Sequence, residues 1–307
     1  MRNSANIAIQ TNKKSKVWTK YKISNALVEI TICTIITILC LTCILPFIHL
    51  LSKSLSSNVY VLQKSVYLLP KGLNFDAYIS IFRDGKMVRS MGLTIFVTVT
   101  FTIVGMIATI CAAYPLSKKE LKGRNFFLLV FVFTLYFGAG LIPEYLLMKN
   151  LGLLNTVWVL ILPLAFSPYN MLLMKTFLQN SIPVSLEESA FLDGANQFQV
   201  LFKIVLPLSK SIIATLSLFY AVGRWNAYAD AKYYISKQSL YPIQLLLNNM
   251  VNASREPISI AEGVPVTSTP EVLQAACVMF ATIPIVCVYP FVQKYFVKGV
   301  MIGAVKG

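Results

Sequence analysis

The residues able to do chemistry in this chain gather in one polar interruption of an otherwise apolar sequence. Residues 182–207 read Ile-Pro-Val-Ser-Leu-Glu-Glu-Ser-Ala-Phe-Leu-Asp-Gly-Ala-Asn-Gln-Phe-Gln-Val-Leu-Phe-Lys-Ile-Val-Leu-Pro. The pattern predicts a short amphipathic helix, a stop and a second short helix. Ser185, with Glu188 three residues on, has capping-box spacing. Glu187 and Glu188 fall in a first turn, where negative charge suits the helix dipole. Leu186 and Ala190 lie four apart and share a face. Gly194 can take the left-handed conformation that ends a helix. Phe198 and Phe202 repeat the four-residue spacing, and Pro207 leads into the next apolar run. On the residues alone, this can be a helix–turn–helix lying in the membrane interface, its glutamates solvated and its phenylalanines acting as anchors.

Other chemistries find little support. The chain has one histidine, His49, too few for a His-rich metal site, and no Gly-x-x-x-x-Gly-Lys-Ser/Thr phosphate loop. Its six cysteines are Cys33, Cys40, Cys43, Cys111, Cys277 and Cys287, all within apolar stretches. Cys40 and Cys43 match a C-x-x-C pair with no second pair, so packing is the expected role.

The elements that hold the polar segment follow from composition. Of 307 residues, 56% are apolar and 13% charged, about half the charged share of a soluble domain. With a mean hydropathy of +0.68, the expected solvent is lipid. The formal charge of +15 then belongs to loops obeying the positive-inside rule rather than to nucleic-acid binding.

Six stretches are long and apolar enough to cross a bilayer: Ala26–Leu51, Gly92–Leu116, Phe126–Leu147, Thr156–Leu178, Ile212–Tyr228 and Val272–Phe296. The fourth is interrupted by Pro163 and Pro168, and the fifth is short, ending near Arg224-Trp225-Asn226. The basic tail (Arg2, Lys13, Lys14, Lys16, Lys20, Lys22) and the dense cluster Lys118, Lys119, Lys122 and Arg124 place both termini and loops 117–125 and 180–209 inside. These cationic loops also suit contact with anionic membrane lipid. Loop 52–91 is placed outside although it carries six scattered cations. The expected organisation is a cytoplasmic tail over 1–25, a membrane domain over 26–297 and a cytoplasmic tail over 298–307. No repeat of 20–50 residues is visible, which weighs against several secondary-transporter folds.

Against this background the polar segment resembles the EAA loop of ABC importer permeases. The pattern Glu-Ala-Ala, three residues, Gly, about nine residues, Ile-x-Leu-Pro matches Glu188-Ser189-Ala190, Gly194 and Ile204-Val205-Leu206-Pro207 in order and spacing. Asp193-Gly194-Ala195 fits as well; Ser189 is the departure, and it is small enough for a tight helix contact. Leu218–Ala227, Tyr241–Leu245 and the tail from Phe296 to Gly307 are similar to the carbohydrate-uptake subgroup of the LplC/YtcP type, and more distantly to the smaller permease of maltose importers.

The resemblance implies an all-α, polytopic membrane protein with six transmembrane helices and the type I ABC importer permease fold, in a bacterial plasma membrane. It implies a non-enzymatic subunit forming half of a path for a carbohydrate, in particular an oligosaccharide. Implied partners are a second related permease, cytoplasmic ABC ATPase subunits and an extracellular solute-binding protein. No cofactor is expected on this chain; ATP and Mg would sit on the ATPase. ATPase coupling would fall to Leu186, Glu187, Glu188, Ser189, Ala190, Phe191, Asp193, Gly194, Ile204, Leu206 and Pro207. Candidates to touch sugar along the path are Tyr169, Asn170, Trp225, Asn226 and Tyr228, since aromatic faces and amides suit sugars. Interfacial-belt and helix-packing roles compete for those five positions. The alternatives are a permease for a non-sugar solute and a self-sufficient secondary carrier.

Overall fold

The computed structural model describes the backbone of residues 2–253 and 269–304 and the side chains of 28–252, 269–288 and 290. The side chains of the basic tail, those beyond 290, and most of the Pro/Ser/Thr/Gly-rich stretch 252–270 therefore lie outside the described residues. The chain divides into two units, Met1–Phe75 and Asp76–Gly307.

In the first unit, helix α1 spans Arg2–Ser54. Every described side chain from Val28 to His49 is exposed. A helix apolar and exposed on all sides has hydrocarbon, not water, as its solvent. After α1 the chain forms a short helix α2, Asn58–Leu62, and folds back in a tight loop. His49 donates from Nδ1 to the Tyr67 carbonyl at 2.8 Å, Ser52 donates to Leu68 O at 2.6 Å, and Ser56 pairs with Leu73 across an antiparallel bridge. His49 is thus a loop fastener.

The second unit contains helices α3 (Asp76–Asp84), α4 (Lys86–Ser117), α5 (Arg124–Tyr136), α6 (Leu141–Asn150), α7 (Pro168–Ser181), α8 (Val184–Leu192), α9 (Gln197–Val200), α10 (Leu206–Leu208), α11 (Lys210–Asn226), α12 (Ala229–Tyr234), α13 (Ile243–Ala253) and α14 (Pro270–Ala304). Helix α4 is the central post. Its buried face runs through Met87, Met91, Thr94, Val97, Thr98, Phe101, Gly105, Thr109, Ala113 and Leu116, a stripe at steps of three and four residues. Many of these side chains are small, which lets neighbouring backbones approach closely. A Cβ on Gly105 would sit 2.6 Å from the Ala165 carbonyl and 3.0 Å from the Tyr220 ring. Packed around α4, one core joins Met171, Met174 and Leu178 of α7 with Leu216 and Tyr220 of α11. A second joins Val97 and Met148 to Leu160, Tyr234, Ile235 and Leu245.

Among the described residues, three helices have the length and composition to cross a membrane, α1 from Val28, α4, and α14 as far as Val288, or five if two bent pairs are each one span. The bent pairs are α5–α6, bent by 112°, and the 197–208 run with α11, bent by 80°. The predicted fourth span, Thr156–Leu178, is not one helix. It holds a 3-10 turn, Val157–Leu160, then an irregular passage, then α7. The reason is local: Pro163 and Pro168 lack the N–H that would continue a helix. Pro168 instead opens α7, while Ser167 caps it by accepting from the Asn170 N–H.

Two polar contacts join loops far apart in the sequence. Asn155 Oδ1 accepts from Ser236 N at 2.6 Å and Lys237 N at 3.2 Å, tying loop 148–155 to loop 229–271. Lys118 of loop 117–125 pairs with Glu187 of loop 180–209.

Candidate functional site

Pro183 sets the entry to α8. With φ −64° and no N–H to leave unpaired, it occupies the cap position, and the helix begins at Val184. The expected Ser185–Glu188 capping box is therefore absent: Ser185 already lies inside the first turn, and its carbonyl accepts from Ser189 Oγ at 2.8 Å. The capping box forms one helix later. Asn196 Oδ1 accepts from Gln199 N, and Gln199 Oε1 accepts from Asn196 N, both at 2.9 Å.

Between them Gly194 does what its type allows. Its φ is +84°. Ala195 N donates to Ala190 O, and Gly194 N to Phe191 O, both at 3.0 Å. This is a Schellman ending, with Ala190 and Ala195 as its apolar contact, and both alanines pack on the main core. Asp193 is the exposed residue before the turn, its N–H donating to Ser189 O at 3.0 Å. Beyond α9 the chain takes a π-turn over Leu201–Val205 before Pro207. The wider turn falls just before a proline that cannot join an i to i−4 ladder. Ile204 and Leu206 are half-buried there, and Pro207 is exposed.

The two glutamates part company. Glu188 is exposed, whereas Glu187 is 7% exposed and forms an ion pair with Lys118. The Lys118 ammonium also lies 4.7 Å from the centre of the Tyr114 ring. Their pairing was not visible in the sequence, because 69 residues separate them. A cleft of about 610 Å³ opens beside it, lined in part by Tyr114, Lys119, Gln179, Glu188 and Phe191.

Apolar side chains cover the outer surface of this segment. Leu186 and Phe191 are exposed as expected, but Leu192 at 89% and Phe198 at 74% present more surface. Ala190, in contrast, turns inward as a packing residue. The i, i+4 spacing pointed to Phe198; nothing in the sequence marked Leu192 as the most exposed apolar residue.

The structure divides the sugar-contact candidates. Asn170 and Trp225 are buried, while Tyr169, Asn226 and Tyr228 are exposed. Asn226 donates from Nδ2 to Val222 O at 3.0 Å, and the buried Trp225 Nε1 has no hydrogen-bond partner among the described residues. Beside them is a site the sequence reading missed. Arg224, 4% exposed, makes a two-pronged pair with Asp230, Nη1–Oδ2 at 2.5 Å and Nη2–Oδ1 at 3.0 Å. Its Nη1 also donates to Leu160 O at 3.0 Å. A buried guanidinium needs such partners, and an acid six residues after a span-end arginine was the available signal. Burial first, then the Glu144 and Asp230 carboxylates, push the nearby Tyr234 phenol above its ordinary value.

Residues 90–302 match the family described as binding-protein-dependent transport system inner membrane component. The chain is 42% identical over 265 residues to Protein LplC of Bacillus subtilis, covering 86% of this chain and 90% of that one. It is 42% identical over 287 residues to the polygalacturonan/rhamnogalacturonan transport system permease protein YtcP of Bacillus subtilis, covering 92% and 99%. Among solved structures, it superposes with a TM-score of 0.83 and 34% identity on a chain of a bacterial ABC transporter involved in the import of the acidic polysaccharide alginate. That match covers 89% of this chain and 98% of the other.

Proposed function

The chain belongs to the binding-protein-dependent inner membrane components and is a permease subunit of a carbohydrate ABC importer, coupled to a separate ATPase; from that premise we propose that α8 is the coupling helix and that the cargo is an oligosaccharide. The observation that carries the first part is the build of segment 184–208. Its inner face is fixed by Ala190, Ala195 and buried Glu187, while Glu188, Phe191, Leu192 and Phe198 stand outward, exposed among the described residues. A surface of that kind marks a protein contact. Glu188 meets a basic group of the ATPase, and the apolar side chains fill its cleft.

The second part is supported by relatives named for polygalacturonan/rhamnogalacturonan and for alginate, which are long-chain sugars. In this reading six spans cross a bacterial plasma membrane, with both termini and loop 180–209 in the cytoplasm. The third and fifth spans are the bent pairs, and the passage 156–181 serves as the fourth. A second related permease completes the path, ATP and Mg sit on the ATPase, and a binding protein delivers sugar from outside. Tyr169, Asn226 and Tyr228 are exposed enough to touch it.

The test is a tagged pull-down in mild detergent, with mass spectrometry of what stays bound, followed by sugar uptake in proteoliposomes. Recovery of an ATPase and a second permease, and uptake that requires ATP, is the expected result. A chain that purifies alone and moves solute without ATP is a secondary carrier, and the proposal falls.

A further inference from the structure

A carboxylate seldom leaves water without a reason, and Glu187 is buried while both neighbours, Leu186 and Glu188, are exposed. Its partner Lys118 stands at the C-terminal cap of α4, where its N–H donates to Pro115 O at 3.0 Å. An ammonium there complements the negative end of the helix dipole. The same helix end is gripped twice more. Arg124 Nε, at the start of α5, donates to Leu116 O at 2.9 Å, and Gln179 Nε2 of α7 donates to Ser117 O at 3.0 Å. Helix α8 is the third element attached to this point, and Glu187 makes the attachment. Among the described residues, Ala190 of α8 and Ala195 of the turn behind it also pack on the main apolar core, contacts that are non-directional and let a helix slide. A desolvated ion pair is directional and resists separation.

Resting on the reading of α8 as the coupling helix, we propose that the Lys118–Glu187 pair is the tie through which displacement of α8 is passed into α4. The two are positioning residues: neither is placed to touch sugar or ATP. The pair makes the permease answer ATPase closure instead of letting α8 rock against the membrane domain.

The test uses the complete importer with its ATPase and binding protein, reconstituted in proteoliposomes, with chains carrying Glu187→Gln, Lys118→Met, both together, and Lys118→Arg. Two quantities are read: ATPase retained on the purified complex, and sugar moved per ATP hydrolysed. The expected result is that each single variant keeps the ATPase and hydrolyses ATP, while sugar moved per ATP falls on the order of tenfold. The double variant is no worse than either single one, and Lys118→Arg, which keeps the cation, stays close to the parent. A variant that merely unfolds part of the chain loses transport and hydrolysis together and leaves their ratio unchanged, which overturns the proposal. Additive losses in the double variant overturn it too, since the residues then act separately. Loss of the ATPase from the single variants also overturns it, because the pair then sets docking rather than transmission. Absence of the ATPase from the parent complex would instead remove the coupling reading itself.

Discussion

Gly194 offers the sharpest separation of backbone geometry from surface chemistry. Its φ of +84° lies where L-residues are strained, at about 1–2 kcal/mol for a residue with a Cβ. A Cβ built there meets nothing within 4 Å, so no clash adds to that figure. The cost is conformational, and it falls on the Schellman turn that sends the chain from α8 into α9. Alanine should therefore depopulate the turn by roughly tenfold, the factor that about 1.4 kcal/mol represents, and β-branched valine by more. Asparagine, which enters the left-handed region readily, should cost little. Aspartate has the same shape and similar backbone tolerance but puts a charge on the surface assigned to the ATPase. The expected order of sugar uptake, normalised to membrane-inserted chain, is Gly near Asn, then Ala, then Val. Gly194→Asp should abolish uptake while insertion stays normal. Valine as active as glycine would refute the role of the turn. Equal uptake for Gly194→Asn and Gly194→Asp would refute the role of the surface.

Other expectations can be checked with fewer variants. Asp230→Asn leaves the Arg224 guanidinium buried without its counter-charge, at about 3–5 kcal/mol; the unfolding midpoint in detergent should drop sharply, and Arg224→Met with Asp230→Leu should restore part of it. Gly105→Ala drives a methyl to 2.6 Å from the Ala165 carbonyl. Overpacking of about 1–3 kcal/mol follows, seen as a lower unfolding midpoint, and Gly105→Leu should not assemble. Leu192→Glu and Glu188→Lys should each reduce ATPase recovered by pull-down without altering the unfolding midpoint, since both side chains are exposed.

Legibility in the sequence tracked the range of the interactions involved. Apolar length and period are local, so the runs that became α1, α4 and α14 were plain, and so was the helix–turn–helix with its stop at Gly194. Cap identity was less plain, because Ser185 and Pro183 both suit a helix start and proline's fixed φ took the position two residues earlier. Glu187 and Glu188 are adjacent and chemically alike. Only a partner 69 residues away decides that one is buried and the other displayed. The same holds at the far end of α11, where the sequence showed Arg224 as the polar end of a span and the structure closes it onto Asp230 and Leu160. The fourth apolar stretch looked like one unbroken helix because hydropathy counts side chains and ignores the two missing proline N–H groups.

The distribution of these long-range polar contacts along α4 has a mechanical meaning. At one end Thr94 accepts from the Ile243 N–H at 2.9 Å, securing the start of α13. In the middle Thr109 Oγ1 is 2.7 Å from Tyr220 Oη, which itself accepts from Ser167 N at 3.0 Å. At the other end stand Arg124, Gln179 and Glu187. A displacement entering at Lys118 must either break the buried Thr109–Tyr220 hydrogen bond or carry Tyr220 along. Breaking it takes a partner from the buried Thr109 hydroxyl at about 1–3 kcal/mol, in a site where both residues are under 5% exposed. Carrying Tyr220 along requires only that α4 and α11 move together against apolar neighbours, whose contacts reform as they slide. The cheaper course joins α4 to α11, and α11 carries Arg224 and Trp225 in its last turn, so on the proposed coupling role a push delivered at the polar loop would reach the opposite end of the unit through two helices moving as one.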